Sequence, residues 1–327
     1  MKRLFLAVLP ILAIAFHGPN LAAEATSPAE PPWPLVPILD DRLVVKMPPG
    51  AQAEPVPAGL MAAEAPHARQ QRATVELEGG VRMTILATEL FHVAGPDMDS
   101  TARAFASQLQ RGLKLGDART GPVVTTPEGL EVVYIAPGAF TPVGDSQFVG
   151  ATLVKSKDGT LQSLGYFTNT AGIEAARAVR DVAARINASI QPGSRTLQSG
   201  GRFASPNWPF ELELPFGYTM YAQRGPDFQV YRVLRLSRLD EAGSELGIYV
   251  GSHPQKPSAR SNAVVVRKPI FGNESQWSYW TSDSGPRAEN YFSGVGPGKL
   301  SGHAFVIAEG PEQREALVDV AGKVKFR

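Results

Sequence analysis

The chain contains no cysteine. That absence excludes disulfide bridges, thiol catalysis, thiolate metal sites and a lipid-modified cysteine together. Histidine is nearly as scarce, at 5 of 327 residues. No two histidines stand at metal-ligand spacing and no H-E-x-x-H run occurs, so neither a metal nor any other cofactor is expected. Charge of one sign is also missing, with 32 Lys and Arg against 31 Asp and Glu. Such balance offers no electrostatic attraction to nucleic acid or anionic lipid, and neither is expected as a partner. Beyond the N-terminus, no apolar run approaches the ~18 residues of a membrane-spanning helix.

What is present begins with Lys2 and Arg3 ahead of the apolar run Leu4 to Phe16. At about 1.5 Å per residue that run covers roughly 20 Å, short of the ~30 Å hydrocarbon core. Ala23-Glu24-Ala25 then matches the small-x-small cleavage pattern. Residues 1–25 are therefore expected to be a secretory signal peptide, and the protein exported to the periplasm. Cleavage leaves 30 basic and 30 acidic residues. Residues 26–37, with Pro28, Pro31, Pro32, Pro34 and Pro37, read as an extended leader.

The rest of the chain reads as one fold written twice. Leu43-Val-Val-Lys-Met-Pro-Pro-Gly50 reappears as Phe210-Glu-Leu-Glu-Leu-Pro-Phe-Gly217 at an offset of 167. A closing segment repeats at an offset of 138, with Gly172/Gly310, Glu174/Glu312 and Asp181-Val-Ala183/Asp319-Val-Ala321 in register. The offset shrinks between the two, so the second copy is shorter in its middle. Copy one shows a half-buried strand from Leu43 and a hairpin turning at Gly79-Gly80. A middle helix follows, carrying Ala102, Phe105, Ala106 and Leu109 on one face after a cap at Asp99 or Ser100. Strands then occupy 130–135, 147–155 and 162–168. A closing helix buries Ile173, Ala176, Val179, Val182, Ala183, Ile186 and Ile190.

Copy two has strand signals at 210–214, 228–236, 245–250, 277–281, 287–292 and 302–307, then a helix opened by Gly310 and Pro311. The loss of length falls where copy one has its middle helix. The expectation is an α+β protein of two similar domains, 38–190 and 207–327, each an antiparallel sheet with helices packed on it. The second lacks the middle helix. Residues 191–206, rich in Gly, Ser and Pro, read as the linker.

The opening strand-Pro-Gly pieces, the middle helix of copy one and both closing helices resemble the PsbP-like fold, in its Mog-type form. That resemblance implies an α+β module, often serving as an assembly-accessory or small-ligand domain. Export, length, two α+β lobes and the Leu-Pro-Phe-Gly opening of the second lobe also resemble the two-domain immunity proteins of type VI secretion lipase effectors. This likeness implies a protein without a catalytic site that grips a secreted toxin between its lobes.

Candidate chemistry is sparse. Gly144-Asp145-Ser146 is similar to an esterase nucleophile block, but no Asp stands three residues before His253 or His303, and an Asp-Ser turn is the simpler reading. A serine hydrolase would have to use Ser146 with His92 or His303. Gly294-Val-Gly296-Pro-Gly298 lacks a following helix and reads as a turn, not a phosphate cradle. Asn187-Ala-Ser and Asn273-Glu-Ser match the glycan acceptor pattern by chance. The second copy concentrates aromatics and arginines, the residue types of interface hot spots. Arg224, Tyr231, Arg235, Trp277 and Trp280 are the expected partner-binding residues; the competing reading places the aromatics in the core of a half-buried sheet. Strand alternation puts Trp277 and Tyr279 on one face and Trp280 on the other. The function expected is an exported non-enzymatic protein that grips a protein partner, with an envelope accessory or small-ligand module as the alternative.

Overall fold

A computed structural model describes residues 32–56, 69–139, 141–224, 227–241, 243–251, 254, 261–283, 285–296 and 298–327. The signal peptide, residues 26–31 of the leader, His67 and His253 lie outside the described residues. The first repeat runs β1 (Leu35–Ile38), β2 (Leu43–Lys46), β3 (Gln52–Pro55), β4 (Arg69–Leu77), β5 (Val81–Val93) and α1 (Met98–Leu113). It continues with β6 (Ala118–Thr120), β7 (Val124–Thr125), β8 (Glu131–Pro137), β9 (Thr141–Val143), β10 (Ser146–Lys155), β11 (Thr160–Thr168), α2 (Ile173–Asn187) and β12 (Gln191–Pro192). The second runs β13 (Gly201–Phe203), β14 (Phe210–Leu214), β15 (Tyr218–Arg224), β16 (Phe228–Arg235), β17 (Ser237–Arg238) and β18 (Glu245–Gly251). Then come β19 (Val264–Ile270), β20 (Asn273–Ser282), β21 (Gly285–Val295), β22 (Leu300–Ile307), α3 (Pro311–Gly322) and β23 (Lys325–Phe326).

Strand order shows the duplication directly. The first large sheet is ordered β3-β4-β5-β11-β10-β8-β6 and the second β15-β16-β18-β22-β21-β20-β19. Matched in sequence order, these are one topology. Each repeat also carries a three-stranded sheet, β1-β2-β12 and β13-β14-β23, that ties its opening strand to its closing segment. The Pro-Gly stop recurs because Gly50 and Gly217 turn the chain with φ of 84° and 88°, a region that favours glycine. Two strands of the second large sheet, β15 and β19, escaped the sequence reading because neither alternates cleanly. Of the described elements, α1, β7, β9 and β17 have no counterpart in the other repeat.

In the first repeat both faces of the large sheet are covered. α2 packs Ala176, Val179, Ala183 and Ile186 against Val132, Val154, Leu164 and Tyr166. α1 packs Met98, Ala102, Phe105 and Ala106 against Val133, Ile135, Ala151 and Leu153 on the opposite face. The α1 cap is Asp97, two or three residues earlier than the expected Asp99 or Ser100, and its carboxylate accepts the Ser100 N–H at 2.7 Å. Ile173, expected in the buried stripe of α2, is 55% exposed because it stands in the first turn, before the helix reaches the sheet. In the second repeat α3 covers one face with Leu317, Val318, Val320 and Ala321 over Trp277, Tyr279, Ile248 and Val306. No described helix covers its other face.

Residues 191–206 are held along much of their length rather than hanging as a loose tether. Gln191 pairs with Val44, and the Ser194 N–H and hydroxyl both donate to the Asp41 carboxylate. The Leu197 N–H donates to Asp158 at 2.9 Å, and Gly201 to Phe203 pair with β14. Beneath this segment lies a buried polar network. Arg42, 4% exposed, donates to Glu89 at 3.0 Å, to Asp158 at 2.8 Å and to the Arg195 carbonyl at 3.0 Å. Gln162 donates to the other Glu89 oxygen at 3.0 Å. Burial pushes the Glu89 carboxyl up, against the pull of Arg42. Burial also raises Asp158, but hydrogen bonds from Arg42, Thr160 and Leu197 outweigh it and hold that carboxyl at about 2.

Residues 33–327 form one compact unit. β17 adds in parallel to the end of β5, pairing Ser237 with His92 and Arg238 with Val93. Leu239 inserts into the core beneath α1, where Gln108 donates to its carbonyl at 2.8 Å. Leu239→Ala is therefore expected to destabilise the chain by about 2–4 kcal/mol, the usual range for a buried leucine. Guanidinium unfolding reads this directly, and a loss below about 0.5 kcal/mol, the range of a surface change, would show the plug unpacked.

Candidate partner interface

The open face of the second sheet, the one over which no described helix lies, is built by alternation. One row crosses it from β20 to β15 as Ser278, Glu289, Phe305, Gly247, Arg232 and Tyr221, each paired with the next. A neighbouring row runs Trp280, Arg287, Ile307, Glu245, Leu234 and Thr219. In the first repeat the face under α1 is apolar and buried. Here charged, aromatic and aliphatic groups interleave instead, and they are buried or half-buried: Glu245 and Tyr221 are 2% and 3% exposed, and the His303 and Glu289 side chains 16% and 17%.

Local packing fixes these groups. The Phe305 ring lies over the backbone of Gly247, where an added Cβ would stand 2.1 Å from it. Arg232 lies 5.8 Å above the Phe305 ring, donates to Gln223 at 2.7 Å and pairs with Glu245. His303 sits 4.0 Å from the Glu289 carboxylate, and desolvation lowers its pKa from the usual value. The Arg232–Glu245 ion pair and the His303–Glu289 contact are each anchored across neighbouring strands, which limits their freedom before a partner arrives.

At its inner end the face meets the first repeat. Phe91 adopts a left-handed φ of 53°, uncommon for a bulky residue, where the β5–β11 pairing shifts register. The bulge aims its ring at Tyr221, and the two stack at 4.5 Å with an interplanar angle of 6°. Beside the stack is a cleft of about 280 Å³, walled by Leu90, His92 and Gln108 on one side and Leu234, Glu245 and Ile307 on the other. The Ser237 hydroxyl, on the same wall, is buried without a hydrogen-bond partner among the described residues. Ligand pockets run from roughly 300 Å³ upward, so this cleft suits one or two side chains rather than a whole small molecule.

The expected partner-binding residues are placed differently from one another. Trp277 and Tyr231, 0% and 1% exposed, lie in the core with α3, and as contact residues they are corrected: alternation turns both inward, where their bulk fills the sheet–helix layer. Trp280 does point to the opposite face, but at 7% exposure it is a covered member of that face. Arg235 stands on the cleft rim, 37% exposed, paired with Glu309. The Arg224 side chain lies outside the described residues. Glu289, His303, Phe305, Glu245 and Arg232 share this face but are not among the expected partner-binding residues, although continuing the Trp277/Trp280 alternation across the neighbouring strands reaches them.

Ser146 and His92 are not brought together. Val93 pairs with Thr160 and Leu161 with Lys155, which sets His92 by the far end of β10 from Ser146, nine residues or roughly 30 Å away. The His92 Nδ1 instead faces the Ser237 carbonyl at 3.0 Å, and His303 lies in the second repeat. A separate groove of about 550 Å³ on the first repeat is walled by Val124, Val132, Tyr134 and Ile190, with Asn187 at its rim.

No family model and no curated protein sequence matches the chain. Among solved structures it is similar to the immunity protein TplEi of the T6SS from Pseudomonas aeruginosa, complexed with "L" peptide. The identity is 10% over 91% of this chain and 99% of that one, with a TM-score of 0.21. A structure of MucB matches at 13% identity over 80% of this chain and 87% of that one, with a TM-score of 0.17. The MucA/MucB complex of Pseudomonas aeruginosa matches at 12% over 80% and 88%, with a TM-score of 0.15. TM-scores this low leave fold and site to be argued from the chain's own geometry.

Proposed function

We propose that the chain is an exported, non-enzymatic binding protein that receives a protein partner on the open face of the second sheet and in the cleft at its inner end. The observation that carries this reading is the contrast between the repeats. The face that lies under α1 in the first repeat carries, in the second, the rows of Arg232, Glu245, Glu289, His303 and Phe305, with no described helix over them. Aromatic anchors set among paired charges are the composition of a protein interface rather than of a reaction centre. The finer form of the reading is an immunity protein that neutralises a secreted toxin, supported by the export signal and the two-lobed layout.

The joint between the repeats supports a preformed receptor rather than a clamp on a tether. The Phe91–Tyr221 stack, the β17–β5 pairing and the Leu239 plug position the cleft before any partner arrives. Preorganisation of this kind reduces the entropy lost on binding. The 550 Å³ groove favours a second reading, a small-ligand module, since its size and apolar walls fall in the usual ligand range.

The test uses the mature chain immobilised and exposed to an envelope extract. Glu289→Arg combined with His303→Glu is expected to cut retention of its specific partner at least about tenfold, a loss near 1.4 kcal/mol. Ile173→Arg, on the exposed start of α2, is expected to leave retention unchanged. Equal retention by all three chains would remove the open face from the reading. Intact mass of the periplasmic protein is expected to place its first residue at Thr26.

A further inference from the structure

The second repeat leaves one sheet edge long and poorly guarded. β19 pairs with β20 on one side and has no other neighbour in its sheet among the described residues. Its first half is Val264-Val265-Val266, with Val264 65% and Val265 62% exposed. Successive residues point to opposite faces, so both sides of this edge are apolar. The matching edge of the first repeat is built otherwise. There β6 and β7 span three and two residues and are separated by Gly121-Pro122, a break of the kind that prevents strand addition. β19 carries its charge and proline, Arg267, Lys268 and Pro269, only in its second half.

Charge at the edge is distributed by face. Lys268 is held on the helix side by Asp319 at 3.1 Å and Glu315 at 3.6 Å. Arg267 points to the open-face side, is exposed, and has no ion-pair partner among the described residues. It shares that side with Val265, which pairs with Ser278, itself paired with Glu289.

We propose that β19 receives an extended segment of the partner protein by strand addition, with apolar side chains along Val264–Val266 and a carboxylate beside Arg267. This deepens the open-face reading and rests on it, because a strand added here would widen the face that holds Glu289 and Phe305. Main-chain hydrogen bonds supply the affinity in such a mode, and alternate side chains supply the choice of partner. A second copy of the chain is the poorer occupant. Two-fold pairing of β19 would bring α3 toward its own image, setting Glu315 and Asp319, which overhang β19, against like charges.

The probe is a synthetic nine-residue peptide of alternating Val and Thr with one central Asp and blocked ends, followed by fluorescence anisotropy against the mature chain. The parent peptide is expected to bind. N-methylation of alternate backbone amides, or Val265→Lys in the chain, is expected to weaken it at least about tenfold, corresponding to 1.4 kcal/mol. Arg267→Glu is expected to weaken the Asp peptide and to favour its Asp→Lys counterpart. Both substitutions are at exposed sites, and unchanged unfolding midpoints would confirm that the variants fold.

No binding by the parent peptide, or equal binding by its N-methylated form, overturns strand addition. Failure of the charge exchange overturns the carboxylate beside Arg267. A concentration-dependent dimer in sedimentation that Val265→Lys abolishes would make a second copy the occupant, and the proposal would fall. None of these arms involves Glu289 or His303, so the open-face reading stands or falls separately.

Discussion

Trp277→Ala is expected to destabilise the protein by about 3–5 kcal/mol, the range for removing a fully buried large aromatic. For a chain of this size that corresponds to a fall in Tm of roughly 10 °C. The side chain is 0% exposed and sits among Tyr279, Ile248, Val306 and Leu317, in the layer between the second sheet and α3. Deleting it leaves a cavity that neighbouring strands, tied by hydrogen bonds, cannot collapse to fill. Its indole N–H is buried without a partner among the described residues. Trp277→Phe, which discards that unpaired donor and keeps most of the bulk, is expected to cost well under half as much. Thermal unfolding followed by circular dichroism separates the two, and equal losses would show that volume is not what matters at this position. The same substitution is expected to change partner binding only through the fraction folded.

Arg42→Ala is the second large effect. Breaking a buried ion pair leaves an uncompensated charge and costs about 3–5 kcal/mol. Glu89 is 1% exposed and would keep Gln162 but lose the guanidinium it is paired with. The loss carries a pH signature. Burial already raises Glu89 above its ordinary value, and without Arg42 it rises further. A folded carboxyl with a raised pKa binds protons more tightly than the unfolded one, so the stability it contributes is present below the unfolded value and lost as pH rises. The variant is thus expected to be weakest near neutral pH and to approach the parent chain as pH falls toward 4.

Asp158 has the opposite sign. Its carboxyl lies at about 2 against an ordinary 3.8, so the unfolded chain binds more protons between these values. Its stabilisation, on the order of 2 kcal/mol, is present above pH 4 and lost between pH 4 and 2. Asp158→Asn should flatten the parent's acid dependence in that window. Urea midpoints from pH 2 to 7 test both signs, and a gap between Arg42→Ala and the parent that widens with acid would contradict the assignment.

The duplication was legible because backbone chemistry marks it. The Pro-Gly stop and the Asp-Val-Ala closing helix depend on local sequence, and both recur in the structure at matching places. The inner strands β15 and β19 were not legible: Tyr218 to Arg224 lacks clean alternation, and β19 is an edge whose valines face solvent on both sides. The site was half legible. Alternation correctly parted Trp280 from Trp277, but which of the two faces receives a helix depends on tertiary packing that no local pattern records. Hot-spot composition drew attention to the aromatics, and Trp277 and Tyr231 among them serve the core. The buried Arg42 network, spanning residues far apart in sequence, left no local signal at all.

The central claim is that the partner lies on the face where the repeats differ. The direct measurement is photo-crosslinking in intact cells, with a photoreactive residue placed at Glu289 in one chain and at Ile173 in another. The account predicts one discrete heavier adduct from position 289 and none from 173. The same adduct from both positions, or from 173 alone, would contradict it.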